Sequence, residues 1–170
     1  MDKYILKREE IEAFEGIEKT HFLNDNAIRR NKSLGDLTGL TGLGVHLIEI
    51  EPGHHSTECH VHYHEDECVY ILDGEATATI GSDTYRVRAG DFIGYRAGGA
   101  AHQLQNTGAE TLRCLVVGQR LNHDVADYPE KEGAEVEEHR ARSGDAREAP
   151  REAALDRVRL LGIGFDACAP

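Results

Sequence analysis

Histidine is the residue type whose spacing most directly indicates chemistry in this sequence. Five of the ten histidines fall within eleven residues, where an even distribution would place fewer than one: His54, His55, His60, His62 and His64. Neutral imidazole is the commonest metal ligand in proteins. The cluster therefore predicts a metal site.

His60 and His62 have the spacing of two ligands on one face of a β-strand. Side chains alternate between the faces of a strand, so these two point the same way, about 6.6 Å apart at Cα. Glu67 begins the next predicted strand and shares a face with Val69 and Ile71. A carboxylate among apolar side chains is costly unless it is paired or bound to a cation. The pattern therefore predicts Glu67 as a third ligand.

His102 completes the predicted set, which is His60, His62, Glu67 and His102. It follows a run of small residues, 98–101, and shares a strand face with Leu104 and Asn106. Nitrogen and oxygen ligands without thiolate suit one divalent ion per chain, of Fe, Mn, Ni, Zn or Co. In six-coordinate geometry two positions stay open for water or substrate, as a chemical site requires.

Two alternatives stay open for these histidines. His60 and His62 could be surface histidines on an exposed strand. His64 is in phase with both, so it could replace one of them as a ligand. Otherwise His64 lies at the rim of the site.

Polar side chains near the predicted ligands are the candidates for substrate contact. They are Tyr63, His64, Tyr95 and Arg96. Arg96 could instead form an ion pair on the surface. Gln103 ranks last, because alternation puts it on the face opposite His102.

The segments that carry these residues are typical of short β-strands. Eight are predicted, over residues 45–50, 59–64, 67–72, 76–80, 85–88, 92–95, 102–105 and 112–117. Asp73-Gly74 is a strong turn signal that favours a hairpin, and Gly81-Ser82-Asp83 turns the next strand into its successor. Short strands separated by Gly and Asp predict an all-β sandwich or barrel.

The segments before and after the predicted strands differ from them in composition. Residues 7–12 indicate a brief helix, and the polar stretch 24–32 indicates a loop or an edge. From Glu130 onward, mixed charges and few large apolar residues indicate a loosely held tail. Within it, residues 150–162 have the pattern of a short amphipathic helix that begins at proline and ends at glycine.

Composition narrows the function classes. The net charge of −12 disfavours binding to nucleic acid or to a membrane surface, because phosphate groups would repel such a chain. No stretch approaches the roughly 20 apolar residues that cross a bilayer, and the N-terminus has no signal core. We therefore expect a cytoplasmic protein. Its four cysteines show no paired spacing, so we expect reduced thiols.

Two spaced motifs together resemble those of the cupin superfamily. The first reads Gly53, six residues, His60-Val61-His62, four residues, Glu67, six residues, Gly74. The second runs from Gly90 to Gly98 and continues to His102 and Asn106. The first spacer is one residue longer than usual, Arg96 stands where proline is usual, and one extra residue precedes His102.

The resemblance covers roughly residues 43–118 and implies a single-domain cupin, an all-β double-stranded β-helix or jelly-roll barrel. The expected organisation is an N-terminal extension (1–32), the barrel (33–120) and a charged C-terminal tail (121–170) with a short helix. The sequence is similar to small, single-domain bacterial cupins of mostly unassigned function, which implies a homodimer.

The function expected from the ligand set and the resemblance is that of a mononuclear metalloenzyme acting on a small polar or anionic metabolite. Dioxygenase, isomerase, decarboxylase and lyase chemistry all fit, with Glu67 staying bound to the ion or acting as a base. The alternative is a metal-dependent module without turnover that binds a small molecule or carbohydrate.

Overall fold

The alternating segments of this chain form antiparallel sheets. The computed structural model describes residues 3–131 and 135–139. Within these ranges lie two short helices, α1 (Arg8–Ala13) and α2 (Leu34–Thr38). The strands are β1 (Ile17–His21), β2 (Asn24–Ser33), β3 (Leu43–Ile50), β4 (Val61–His62), β5 (Glu67–Asp73), β6 (Glu75–Ile80), β7 (Asp83–Arg88), β8 (Phe92–Tyr95), β9 (His102–Gln105), β10 (Leu112–Gln119), β11 (His123–Asp127) and β12 (Glu135–His139).

Three sheets can be traced in the described part of the chain. The largest has the strand order β1-β2-β3-β10-β5-β8, and the smaller ones have the orders β7-β6-β9 and β12-β11-β4. Ile50, Ile71 and Leu112 of the large sheet pack with Ala78 and Leu104 of the β7-β6-β9 sheet in one buried cluster. The main core therefore lies between these two sheets, and the predicted all-β barrel architecture is confirmed.

Strand alternation determines which side chains enter the barrel. On β5, Val69 and Ile71 are buried, whereas Tyr70 and Leu72 are exposed. Glu67 lies in phase with the buried pair, as the sequence pattern predicts. The barrel interior thus receives a carboxylate at the start of an otherwise apolar strand face.

Asn106 fixes the end of β9 against its neighbours. Its side chain is fully buried and its amide nitrogen donates to the carbonyl oxygens of Ile50 at 2.7 Å and Glu110 at 2.9 Å. Its side-chain oxygen accepts the backbone N–H of Gly108 at 3.0 Å. These three bonds position the strand on which His102 lies.

The predicted hairpin at Asp73-Gly74 is wrong. β5 pairs with β10 and β8, whereas β6 pairs with β7 and β9, so the chain passes from one sheet to the other at this turn. The turn at residues 81–82 does join a hairpin, in which Ile80 lies opposite Asp83. A local turn signal marks the change of direction and leaves the pairing partner open.

Both flanks of the predicted barrel supply strands to these sheets. The polar stretch 24–32, predicted to be a loop or an edge, falls in β2, which pairs with β1 on one side and β3 on the other. In the predicted tail, β11 pairs with β4, the strand of His62. Helix α1 lies where the brief helix is predicted, whereas the helix predicted over 150–162 lies outside the described residues.

Two further expectations concern cysteines and membrane spans. Among the described residues, Cys59, Cys68 and Cys114 are free thiols. None of the described helices has the length and apolar character that a bilayer crossing requires.

Candidate metal centre

Three imidazole rings converge inside the barrel. The Nε2 atoms of His60 and His62 are 3.2 Å apart, and the ring centroids of His60 and His102 are 4.7 Å apart. A backbone bridge between His60 and His102 joins the segment before β4 to β9. His60 and His102 are buried, with 6% and 4% of their surface exposed, and the side chain of His62 is 19% exposed, so the alternative that His60 and His62 are surface histidines on an exposed strand is wrong.

The hydrogen bonds of the Nδ1 atoms fix the tautomer of each ring. Nδ1 of His60 lies 2.9 Å from the carbonyl oxygen of Glu58, and Nδ1 of His102 lies 3.3 Å from that of Ala100. Nδ1 of His62 lies 2.5 Å from Oδ2 of Asp124. Carbonyl and carboxylate oxygens only accept, so each Nδ1 donates its proton. In each neutral ring, Nε2 therefore carries a lone pair.

This arrangement of lone pairs fits a metal ion. Burial, together with the neighbouring His102 and His62, lowers the pKa of His60 to about 3, and burial lowers the pKa of His102 to about 4. The facing Nε2 atoms of His60 and His62 need a cation between them, either a proton or a metal ion. Nε2 of His102 is buried and has no hydrogen-bond partner among the described residues.

A single proton serves only two nitrogens, so it would satisfy the pair of His60 and His62 and leave the Nε2 lone pair of His102 without a partner among the described residues. Two nitrogens bound to one ion at about 2.1 Å lie roughly 3.0–3.4 Å apart. The separation of 3.2 Å between the Nε2 atoms of His60 and His62 falls in that range.

Glu67 lies on the wall between two cavities next to these rings. The larger cavity, of about 190 Å³, is also lined by His60, His102 and Tyr95. The smaller cavity, of about 130 Å³, is also lined by His62. Burial raises the pKa of Glu67, while nearby His62 and Arg29 act in the opposite direction. A carboxylate held at this depth gains from a bound cation.

Asp124 is a buried carboxylate at this site that the sequence patterns did not indicate. His62, Glu65 and Asp124 each offer a ligand atom within 4.8 Å of the others, a closeness that no three of His60, His62, Glu67 and His102 reach, so this cluster could itself hold a metal ion. However, Asp124 already accepts from Nδ1 of His62 and from the backbone N–H of His64, and Glu65 accepts from the backbone N–H of Leu121. We interpret Asp124 as the carboxylate that orients His62.

The electrostatics of Asp124 agree with that role. Burial acts to raise the pKa of its carboxyl, but hydrogen bonds from His62 and from the His64 backbone outweigh burial and hold the pKa below its usual value. Asp124, Ala126 and Tyr128 are buried in alternation along β11 and just beyond it. That period-2 pattern is the signal in the sequence that could have revealed the strand.

Comparison with known proteins places this architecture in a family. A model of the cupin domain matches residues 46–118. The crystal structure of a protein from Acidithiobacillus ferrooxidans, named "putative sugar phosphate isomerase", is 50% identical over 79% of this chain and 86% of that chain, with a TM-score of 0.77. The chain belongs to the cupin superfamily.

Other cupin structures are more distant. A sugar phosphate isomerase "from a cupin superfamily" of Silicibacter pomeroyi is 29% identical over 73% of this chain and 81% of that chain, with a TM-score of 0.67. A "predicted oxalate decarboxylase" of Thermotoga maritima is 21% identical over 65% of this chain and 96% of that chain, with a TM-score of 0.56, and shares the fold. A search of curated proteins gives no significant match.

This cupin accommodates the departures in its second motif within one loop. Arg96, in the usual position of proline, is exposed at the end of β8. The following loop contains Gly98 with φ of +61° and ends where β9 begins at His102. The extra residue is therefore absorbed before β9, and His102 still faces His60.

The predicted substrate contacts divide into two groups in this cupin. Tyr95 lines the larger cavity, stacks on His102 with ring centroids 3.6 Å apart, and its hydroxyl has no hydrogen-bond partner among the described residues. Tyr63, His64 and Arg96 are exposed and line neither cavity. Gln103, ranked last, does line the larger cavity, and its amide nitrogen donates to the carbonyl oxygen of Thr57.

Proposed function

We propose that this cupin is a metal-dependent isomerase that acts on a sugar phosphate. The observation that carries the proposal is the meeting of three imidazoles, those of His60 and His102 buried and that of His62 half-buried, beside two cavities that share the carboxylate of Glu67. The names of the two structures that are 50% and 29% identical to it over the matched residues support this choice among the chemistries that cupins carry out.

The residues that would hold the ion are His60, His62, His102 and Glu67. We propose one ion per chain, of Fe, Mn, Ni, Zn or Co, because the donors are nitrogen and oxygen without thiolate. When bound, such an ion supplies a Lewis acid that polarises a substrate oxygen. The homodimeric state and the cytoplasmic location stay predictions from the sequence.

Side chains of the larger cavity would carry out the remaining chemistry. Glu67 is the acidic side chain on the described wall of this cavity, so we assign to its carboxylate the transfer of a proton between neighbouring substrate carbons. The unpaired hydroxyl of Tyr95 would donate a hydrogen bond to a substrate oxygen. At about 190 Å³ the cavity lies below the roughly 300 Å³ of sites for drug-sized ligands, as suits a small metabolite.

The test combines metal analysis with an isomerisation assay. Purified protein is stripped with a chelator, reloaded with each divalent ion, and incubated with pentose and hexose phosphates while NMR follows the conversion of aldose to ketose. We expect His60→Ala and His102→Ala to lose most of the metal, because each removes one of three imidazoles. Glu67→Gln keeps the three imidazoles and replaces the carboxylate by an amide oxygen, so it should bind metal more weakly, and at saturating metal its conversion should slow by about 100-fold or more.

His123→Ala is the matched control, because His123 lies on an exposed position of β11 away from both cavities. It should retain both metal and activity. Metal held at the wild-type level in His60→Ala and His102→Ala would overturn the metal centre. Metal-loaded protein that binds sugar phosphates without converting any of them would favour the binding-module alternative.

A further inference from the structure

Two cations lie opposite each other on the wall of the larger cavity. Lys19 on β1 lies directly opposite Arg29 on β2 in the strand register. Both line the cavity that also contains His60, Glu67 and His102. Like charges directly opposite each other on neighbouring strands destabilise a sheet. The pair therefore needs a compensating negative charge.

The described part of the chain provides little compensation. Neither Lys19 nor Arg29 forms an ion pair with a described carboxylate, and the hydrogen bond of the Arg29 guanidinium goes to the carbonyl oxygen of Ser56. By contrast, Arg120 on the smaller cavity is paired with Asp36 at 2.5 Å. Two unpaired cations on a cavity wall are notable in a chain whose net charge is −12.

Burial adds to the cost of this arrangement. It lowers the pKa of Arg29, while nearby Glu67 acts in the opposite direction. Burial and the adjacent Arg29 together lower the pKa of Lys19. Lys19 is solvent-exposed and yet lines the cavity, so it lies at the cavity mouth. An anion entering from solvent would meet both side chains.

We propose that Lys19 and Arg29 form a binding site for a phosphate monoester, with the phosphate beside them in the cavity and the carbon chain directed toward His60, His102 and Glu67. This assignment rests on the proposed isomerase function, whose substrate class it specifies. A phosphate dianion matches two cations, whereas a monocarboxylate would neutralise one. The guanidinium has unused N–H donors in a planar fork, and the ammonium has three, so both suit phosphate oxygens.

The direct test measures binding of inorganic phosphate to the chelator-treated full chain by calorimetry, so that no metal ion contributes to the affinity. Lys19→Gln and Arg29→Gln should each weaken phosphate binding by about tenfold or more, and added salt should weaken it in the wild type. Arg30→Gln is the matched control, because Arg30 is the next residue of β2, is exposed and lines neither cavity. It should bind phosphate as the wild type does.

The outcomes separate this site from the isomerase proposal. Wild-type protein that binds no phosphate at millimolar concentration, or a Lys19→Gln variant with wild-type affinity, overturns the phosphate site. Lys19→Gln serves even if Arg29→Gln fails to fold, because Lys19 is exposed and makes no described side-chain bond. If phosphate binding requires Lys19 but the protein isomerises no sugar phosphate, the phosphate site is supported and only the proposal of isomerase activity is overturned. Isomerisation by Lys19→Gln with an unchanged KM overturns the site and keeps the isomerase.

Discussion

At each of the three converging histidines, the hydrogen bond on one ring nitrogen decides what the other nitrogen can do. A carbonyl oxygen fixes the tautomer of His60 and of His102, and the carboxylate of Asp124 fixes that of His62. A charged acceptor makes the ring a stronger electron donor than a neutral carbonyl does. His62 should therefore depend on its outer partner more than the other two do.

Replacement of Asp124 by asparagine tests this dependence. Asp124→Asn keeps the shape of the side chain and removes its charge, so the hydrogen bond to His62 weakens. We expect metal affinity to fall by about 10- to 100-fold with little change in fold. Competition with a chromogenic chelator for Zn or Co measures the affinity.

Asp127→Asn is the control for this prediction, because Asp127 lies on the same strand and its carboxylate accepts from the hydroxyl of Tyr63. It removes the same charge without touching an imidazole. Equal affinities in the two variants would contradict the role of Asp124.

At the level of elements, two glycines bound the segment that carries the first three predicted ligands. Gly53 lies just after β3 and Gly74 joins β5 to β6, with φ of +85° and +86°. L-residues pay about 1–2 kcal/mol in this left-handed region. The two positions differ in the room that they leave for a side chain. A Cβ added to Gly53 meets nothing within 4 Å, whereas a Cβ added to Gly74 lies 3.0 Å from Cα of Leu112.

Because of this difference, a change from glycine to alanine should lower the free energy of unfolding by different amounts at the two positions. Gly53→Ala should lower the free energy of unfolding by about 1–2 kcal/mol, the cost of the backbone conformation alone. Gly74→Ala should lower it by about 2–5 kcal/mol, because backbone crowding against the buried Leu112 adds to that cost. Urea unfolding of both variants measures the difference. Equal losses would show that the contact with Leu112 carries no penalty.

Across the whole molecule, stability should depend on pH through buried neutral imidazoles. Burial is the main cause that lowers the pKa of His60 to about 3 and the pKa values of His46 and His102 to about 4. In the unfolded chain a histidine titrates near 6.5. Between these values the unfolded chain binds more protons than the folded one, so the folded state loses stability as the pH falls.

Metal-free protein should therefore be most stable above about pH 6.5 and lose several kcal/mol as the pH falls toward 4, with the slope flattening below about pH 3. Urea midpoints of chelator-treated protein across this range measure the loss. His102→Gln carries one imidazole fewer and should show a shallower dependence. A pH dependence as steep in that variant as in the wild type would contradict the contribution of His102.

The sequence by itself was enough to indicate the strand faces and most of the candidate ligands. Alternation along a strand has a period of two residues, so the shared faces of His60 with His62 and of Glu67 with Val69 follow from local spacing. The turn residues likewise show where the chain reverses, and the motif spacing indicates the cupin fold. These features depend on neighbours within about ten residues along the chain.

The tertiary structure alone decided which remote segments complete the site. Asp124 reaches His62 because β11 pairs with β4, and Lys19 meets Arg29 in the cavity because β1 and β2 join the large sheet. At Asp73-Gly74 the two flanking strands likewise pair with remote strands instead of with each other, so the chain crosses between sheets where a hairpin was expected. Backbone N–H and C=O groups are alike in every strand, so the choice of pairing partner depends on how the whole barrel buries its apolar faces.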